Sequence, residues 1–271
     1  MSPLARRAAR PAGSTGSAGA LSLVFRRQAA AAGRDPGPFF VLPAMPALLM
    51  IVVFTALFDR ISDAPGYEGG DYDAFLLPGV VVLVALLGAG ATSANVAADL
   101  RSGYFDRLRL LPAPPGRQLT GRLLFESVRL LPGAVAVLAL GFLLGGQNRN
   151  GVAGLAVVVA LVALLGAAYS GVFYAVAIRT RDPQTPFQLQ PLGLPLAFLS
   201  TALVPLAVMP GWAETLARYN PVTPVVDASR EALLGEVWSH ELLVALAVLA
   251  GAMAVTQVLA WWSLHVHVAG S

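Results

Sequence analysis

The chain has 271 residues, of which 56% are hydrophobic and only 12% charged, and its mean hydropathy is +0.70. A soluble domain carries roughly 25% charged residues, so the composition excludes a soluble globular protein and describes one that crosses a bilayer several times. All 18 basic residues are arginine and there is no cysteine, which excludes disulfides, thiolate metal sites, cysteine nucleophiles, Schiff-base lysines and a phosphate-binding loop ending in Gly-Lys-Ser/Thr.

Residues 1–19 are rich in Ala, Gly, Ser and Arg and are expected to form a disordered tail. Arg6-Arg7 is followed by Ala-Arg-Pro-Ala-Gly in place of an apolar run, so no cleaved signal is expected. In residues 20–35, Leu21, Val24, Phe25 and Gln28 share one helical face with Arg26 and Arg27 turned away, the pattern of an amphipathic helix lying on the membrane surface. A hydrocarbon core about 30 Å thick needs about 20 helical residues. That ruler predicts six spans in a domain over 36–264, at about 36–58, 75–97, 123–144, 152–178, 187–209 and 241–262, with a short tail over 265–271. Pro43, Pro46, Pro191, Pro195 and Pro205 are expected to kink the first and fifth.

Orientation follows from arginine bias. With six spans, fourteen arginines fall on one side, in the N-terminal segment, between spans two and three, and between spans four and five. Ten of the 15 carboxylates fall on the other side. Both termini are therefore expected in the cytoplasm. The pI near 9.7 reflects this asymmetry and gives no reason to invoke nucleic acid.

Two polar segments are too patterned to be linkers. After span two, Asp99-Leu-Arg-Ser-Gly-Tyr-Phe-Asp-Arg-Leu-Arg-Leu-Leu-Pro112 spaces Leu100, Tyr104, Leu108 and Leu111 as one helical face, and Pro112, Pro114, Pro115 and Gly116 stop it. Before the last span, Trp212, Leu216 and Tyr219 form one amphipathic turn, Asn220-Pro221 breaks the chain, and Thr223-Pro224 starts a second helix. Two half-helices meeting at such a break make a re-entrant pair, expected near the outer surface. Asp227 and Arg230, three apart, can pair on the second one.

At these two segments the chain resembles the permeases of ABC-2 type exporters, especially the daunorubicin-resistance group. The first is similar to that family's cytoplasmic D-x-x-x-G-x-x-x-x-L-R-x-x-P segment, followed here by Gly121-Arg122, and the second to its N-P-x-T-x-x-x-x-x-x-R segment. One departure is Pro115, where the family usually carries a basic residue. The resemblance implies an all-α integral membrane protein with six transmembrane helices. To these it adds an N-terminal interfacial helix, a cytoplasmic coupling helix and an extracellular re-entrant pair before the last span. It implies a transport subunit without its own ATPase site in the cell membrane. Two copies of an ABC-type ATPase subunit, holding ATP and Mg, would drive it, and a second permease subunit would complete a homodimer. Arg101, Gly103, Tyr104, Phe105, Asp106, Arg107, Leu108 and Arg109 would form the ATPase-coupling helix. Tyr219, Asn220, Pro221, Thr223, Pro224, Asp227 and Arg230 would form the extracellular gate.

Uncharged polar residues in the spans mark a possible cargo path: Asn95, Tyr169, Tyr174, Gln188, Gln190, Thr201 and Gln257. Few polar groups in an apolar wall suit a hydrophobic or amphipathic cargo such as a drug, antibiotic or lipid. Export of a glycolipid or polysaccharide is the alternative within the family, and the low aromatic content ranks it lower. Glu126 and Arg129 are expected to pair at the entrance of span three, and no carboxylate is expected buried at depth, which argues against an ion-coupled secondary transporter. His265 and His267 lack a third ligand for a metal, and no cofactor is expected in this chain.

Overall fold

The computed structural model describes residues 25–26, 28–30, 32–58, 72–101 and 115–269. Every regular element among them is helical. A π-helical turn, Gly37–Val41, leads into α1 (Leu42–Phe58), and α2 (Tyr72–Gly88) is separated from α3 (Ser93–Arg101) by a turn. Next come α4 (Pro115–Arg129), α5 (Leu131–Leu143) and the long α6 (Gly151–Thr180). The short α7 (Thr185–Leu189) and α8 (Gly193–Phe198) flank a 3₁₀ turn, Gln190–Leu192, and are followed by a second 3₁₀ turn, Leu206–Val208. The chain ends with α9 (Gly211–Tyr219), α10 (Thr223–Leu234) and α11 (His240–Ala269).

Four helices are long and apolar enough to cross a membrane: Tyr72–Ala98, Gly121–Leu143, Gly151–Thr180 and His240–Ser263. Leu42–Phe58 is apolar but shorter. The fifth expected span, 187–209, is not a continuous helix. Proline at 186, 191, 195 and 205 removes an amide donor at each step, and after Phe198 the chain turns and runs largely without regular structure to Gly211. The second expected span is interrupted as well, by a turn over 89–92, and Pro132 accompanies the break at Leu130 between α4 and α5.

α2 is apolar on all sides, and a helix of that kind belongs inside. Leu76, Leu77 and Val80 through Ala85 are all but inaccessible, packed among α1, α5, α6, α8 and α10. By contrast α11 lies along α6 and leaves Leu243, Val255, Val258 and both tryptophans of Trp261-Trp262 at the surface. One end of the bundle holds Asn150, Gly235 and His240, and the other holds Arg101, Arg179 and Asp182. They are called the asparagine end and the arginine end below. At the arginine end, the Phe25 and Phe125 rings meet edge to face at 5.8 Å, with Gln28 and Ala32 buried and Arg26 exposed.

Candidate functional site

The break between α9 and α10 lies deep in the bundle. Ala232 of α10 abuts Gly154 near the start of α6. Pro221 and Val222, at the other end of α10, line a small cavity with Leu165, Ala168 and Tyr169, half-way along α6. Twelve residues of α10, at 1.5 Å each, put the break about 18 Å inside the asparagine end. A position near the outer surface, expected from sequence, is thereby corrected: α10 is long enough to carry the break to mid-bundle.

Asn220 holds this break together. Its side-chain amide donates to the Leu196 and Leu199 carbonyls at 2.7 and 2.6 Å, and its Oδ1 accepts from the Val222 amide at 2.9 Å. The two carbonyls are free because α8 ends at Phe198 and leaves no helical donor four residues on. The Thr223 hydroxyl donates to the Ala217 carbonyl at 2.7 Å and ties α10 to the last turn of α9. Pro221 and the half-buried Pro224 complete the turn, while Tyr219 is largely exposed.

A second set of bonds fastens the middle of α10. Arg230 donates to Asp227 at 3.0 Å and to the Thr201 carbonyl at 2.8 Å, and its guanidinium carbon stands 3.9 Å from the centroid of the Phe75 ring. The Thr201 hydroxyl donates to Asp227 at 2.7 Å. Thr201 reaches this place because the 199–203 turn presses against α2: a Cβ on Gly79 would lie 2.0 Å from the Ala202 carbonyl oxygen, a separation only glycine permits.

The expectation that no carboxylate is buried is overturned. The Glu126 and Arg129 side chains are both fully buried, 2.6 Å apart. Glu126 Oε1 accepts from the Thr92 amide at 3.0 Å and from its hydroxyl, while Oε2 accepts from Arg129 Nε at 2.9 Å and from Nη2. Arg129 also donates to the Gly88 carbonyl. Tyr174 closes the network, 2.6 Å from the Thr92 hydroxyl. The physical reason is the turn over 89–92: it exposes a carbonyl and an amide inside the bundle, and the ion pair satisfies both. Arg122, Glu126 and Arg129 lie at i, i+4 and i+7 of one helix, all buried. That spacing was the available signal for a buried charged stripe.

The seven residues proposed for a cargo path do not converge. Tyr174 is sealed in the Glu126 network, and Thr201 is engaged with Asp227. Asn95 and Gln188 are exposed and Gln257 is half-buried. Tyr169 lines the small cavity beside Pro221 and meets Phe173 edge to face at 5.1 Å. Gln190 donates to the Leu87 carbonyl and lines a cavity of about 580 Å³ whose other walls are Leu42, Pro43, Pro46, Leu87, Ala91, Phe187, Pro191 and Leu194. The cavity is a largely apolar notch between α1, the end of α2 and the broken α7–α8 segment.

Of the residues assigned to a coupling helix, Arg101 is at the end of α3, and its guanidinium reaches Asp182 at 3.5 Å. Gly103, Tyr104, Phe105, Asp106, Arg107, Leu108 and Arg109 lie outside the described residues. Asp182 accepts from the Thr185 hydroxyl at 2.9 Å and from the Gln184 amide at 3.3 Å. These bonds, then the nearby Arg101 cation, hold its carboxyl below the usual aspartate range.

Four helices long and apolar enough to cross a membrane, packed around a broken, twice-anchored segment, define an integral membrane protein. Residues 19–234 match the family described as ABC-2 type transporter, and the chain belongs to that family. It is 30% identical over 209 residues to the daunorubicin resistance ABC transporter permease protein DrrB1 of Streptomyces coeruleorubidus, covering 77% of this chain and 73% of that one. It is 28% identical over 192 residues to the probable doxorubicin resistance ABC transporter permease protein DrrC of Mycobacterium tuberculosis, covering 69% and 67%.

Proposed function

We propose that this permease is the transmembrane subunit of an ATP-driven exporter that moves a hydrophobic or amphipathic compound, such as a drug, antibiotic or lipid, out of the cytoplasm or inner leaflet. The observation that carries the reading is the re-entrant pair α9–α10, held at mid-bundle by Asn220. A passive membrane anchor has no use for a break there, whereas a transporter needs irregular backbone where a path opens. The arginine end faces the cytoplasm, with both termini on that side, and the asparagine end faces outward. Two permease copies assemble, and the segment around Arg101–Arg109 docks a separate ATPase subunit that holds ATP and Mg. Residues Tyr219, Asn220, Pro221, Thr223, Pro224, Asp227 and Arg230 form or support the outer gate. The notch beside Gln190, mostly apolar, is the first place an amphipathic molecule would lodge.

Purification of the tagged chain from its host in mild detergent, with mass spectrometry of what accompanies it, tests the reading. A stoichiometric ATPase bearing a phosphate-binding loop is expected, and replacing Tyr104 and Leu108 with aspartate should abolish its retention. A chain that purifies alone and transports with ATP depleted would overturn the assignment.

A further inference from the structure

The two halves of the re-entrant pair are held very unequally. α10 is fastened at three heights. Asn220 secures its deep end and Arg230 its middle. At the asparagine end, Asn150 donates from its side-chain amide to the Ala232 and Gly235 carbonyls at 3.0 and 2.8 Å, and the Arg149 amide donates to the Leu233 carbonyl at 2.7 Å. Carbonyls in the last turn of a helix have no partner within it, so the 148–150 loop takes over the terminus of α10. Asn148 braces that loop: its Oδ1 accepts from the Asn150 amide at 3.1 Å and its Nδ2 donates to Gly151 at 2.9 Å. Just beneath, the α6 and α10 backbones touch, since a Cβ on Gly154 would lie 2.2 Å from the Ala232 oxygen.

α9 has none of this. It buries only Ala213 and Ala217, and Trp212, Leu216 and Tyr219 are 66%, 49% and 86% exposed. Its one ion pair, Glu214 with Arg218 at 2.6 Å, is internal and exposed. The chain enters it through extended residues at Met209 and Pro210 and leaves it through extended Asn220. Rotation at those points moves α9 without breaking any bond that holds α10, apart from that of Thr223 to Ala217.

We propose that α10 is the fixed post of the gate and α9 its moving leaf, and that Asn150 is the positioning residue that fixes the outer end of the post. The inference rests on the gate reading above. It also adds a residue far from the gate in sequence, held to it only by the fold.

The natural absence of cysteine makes the test direct. Single cysteines at Leu216 on α9 and at Glu231 on α10 are placed in the full permease, reconstituted with its ATPase partner in lipid vesicles. Labelling by a water-soluble maleimide is compared between the nucleotide-free and vanadate-trapped states. The rate should change several-fold at 216 and stay within error at 231. Asn150→Asp preserves size but removes both amide donors, so it should make 231 respond to trapping, and Asn150→Gln, which keeps a donor, should restore the quiet behaviour. Equal responses at 216 and 231 in the unaltered background would refute the fixed post while leaving the gate reading intact. An Asn150→Asp variant still silent at 231 would remove Asn150 from its role. If neither position responds to trapping, the gate reading falls and the inference falls with it.

Discussion

Two acid–arginine pairs in this bundle share one plan at different depths of burial. In each, the arginine lies three residues after the carboxylate on one helix. In each, a threonine hydroxyl donates to the carboxylate and the arginine donates to a backbone carbonyl freed by a helix break: Thr92 and Gly88 for Glu126–Arg129, Thr201 for both purposes in Asp227–Arg230. The first pair is 0% exposed on both side chains, and the second is 34% exposed at Asp227 and 19% at Arg230. A chain with 12% charged residues thus places these two internal pairs where the backbone ladder is interrupted, because unsatisfied amides and carbonyls cost most in an apolar surround. The burial difference separates a fully enclosed joint from a half-exposed one.

The sharpest way to break this contrast is at the buried pair. Arg129→Met leaves the Glu126 carboxylate enclosed and short of its counter-ion, a change that costs about 3–5 kcal/mol where a buried pair is split. The variant should unfold at markedly lower temperature in detergent or fail to accumulate. Pairing it with Glu126→Gln removes the orphaned charge and should recover most of the loss, as read from the melting midpoints of the three proteins. A single variant as stable as the parent would show that the pair is not enclosed.

Arg230→Met applies the same operation to the half-exposed pair. Asp227 is a third exposed and the arginine also gives up its place over Phe75, so the expected loss is smaller, about 1.5–3 kcal/mol, the range for hydrogen bonds to charged groups. Folding should survive, and the effect should appear mainly in transport and in nucleotide-dependent labelling of the gate. A stability loss matching that of Arg129→Met would erase the distinction between the enclosed and the half-exposed pair.

What could be read in advance follows the range of the interactions. Apolar runs and proline breaks are local, so the helix break at Asn220-Pro221 and the start at Thr223-Pro224 are legible from a few residues. The fragmentation over 187–209 was underestimated. A proline-rich apolar run satisfies the same length ruler as a helix, and only packing against Gly79 and Asn220 decides that the chain turns at 199–203. Tyr174 was assigned to a cargo path as an uncharged polar residue in a span, because its partner Thr92 lies 82 residues away in the chain. Asn150 was passed over for the same reason: its partners, Ala232 and Gly235, lie 82 and 85 residues further on, beyond any periodicity.

A third pair extends the series to the surface and carries the smallest effect. Arg101 and Asp182 approach to 3.5 Å with side chains 58% and 37% exposed. Hydrogen bonds from Thr185 and Gln184, more than the arginine, lower the Asp182 pKa from its ordinary value of 3.8. The bonded species is the carboxylate, so its contribution is complete above the ordinary value and disappears as the pH falls through the lower, folded one. Asp182→Asn should therefore shift the melting midpoint only slightly. That shift should be constant from neutrality down to about pH 5 and vanish at the acid end, where the parent is protonated too. A difference that grew on acidification would mean that Asp182 is held as the neutral acid, and the order of burial would no longer predict the order of effects.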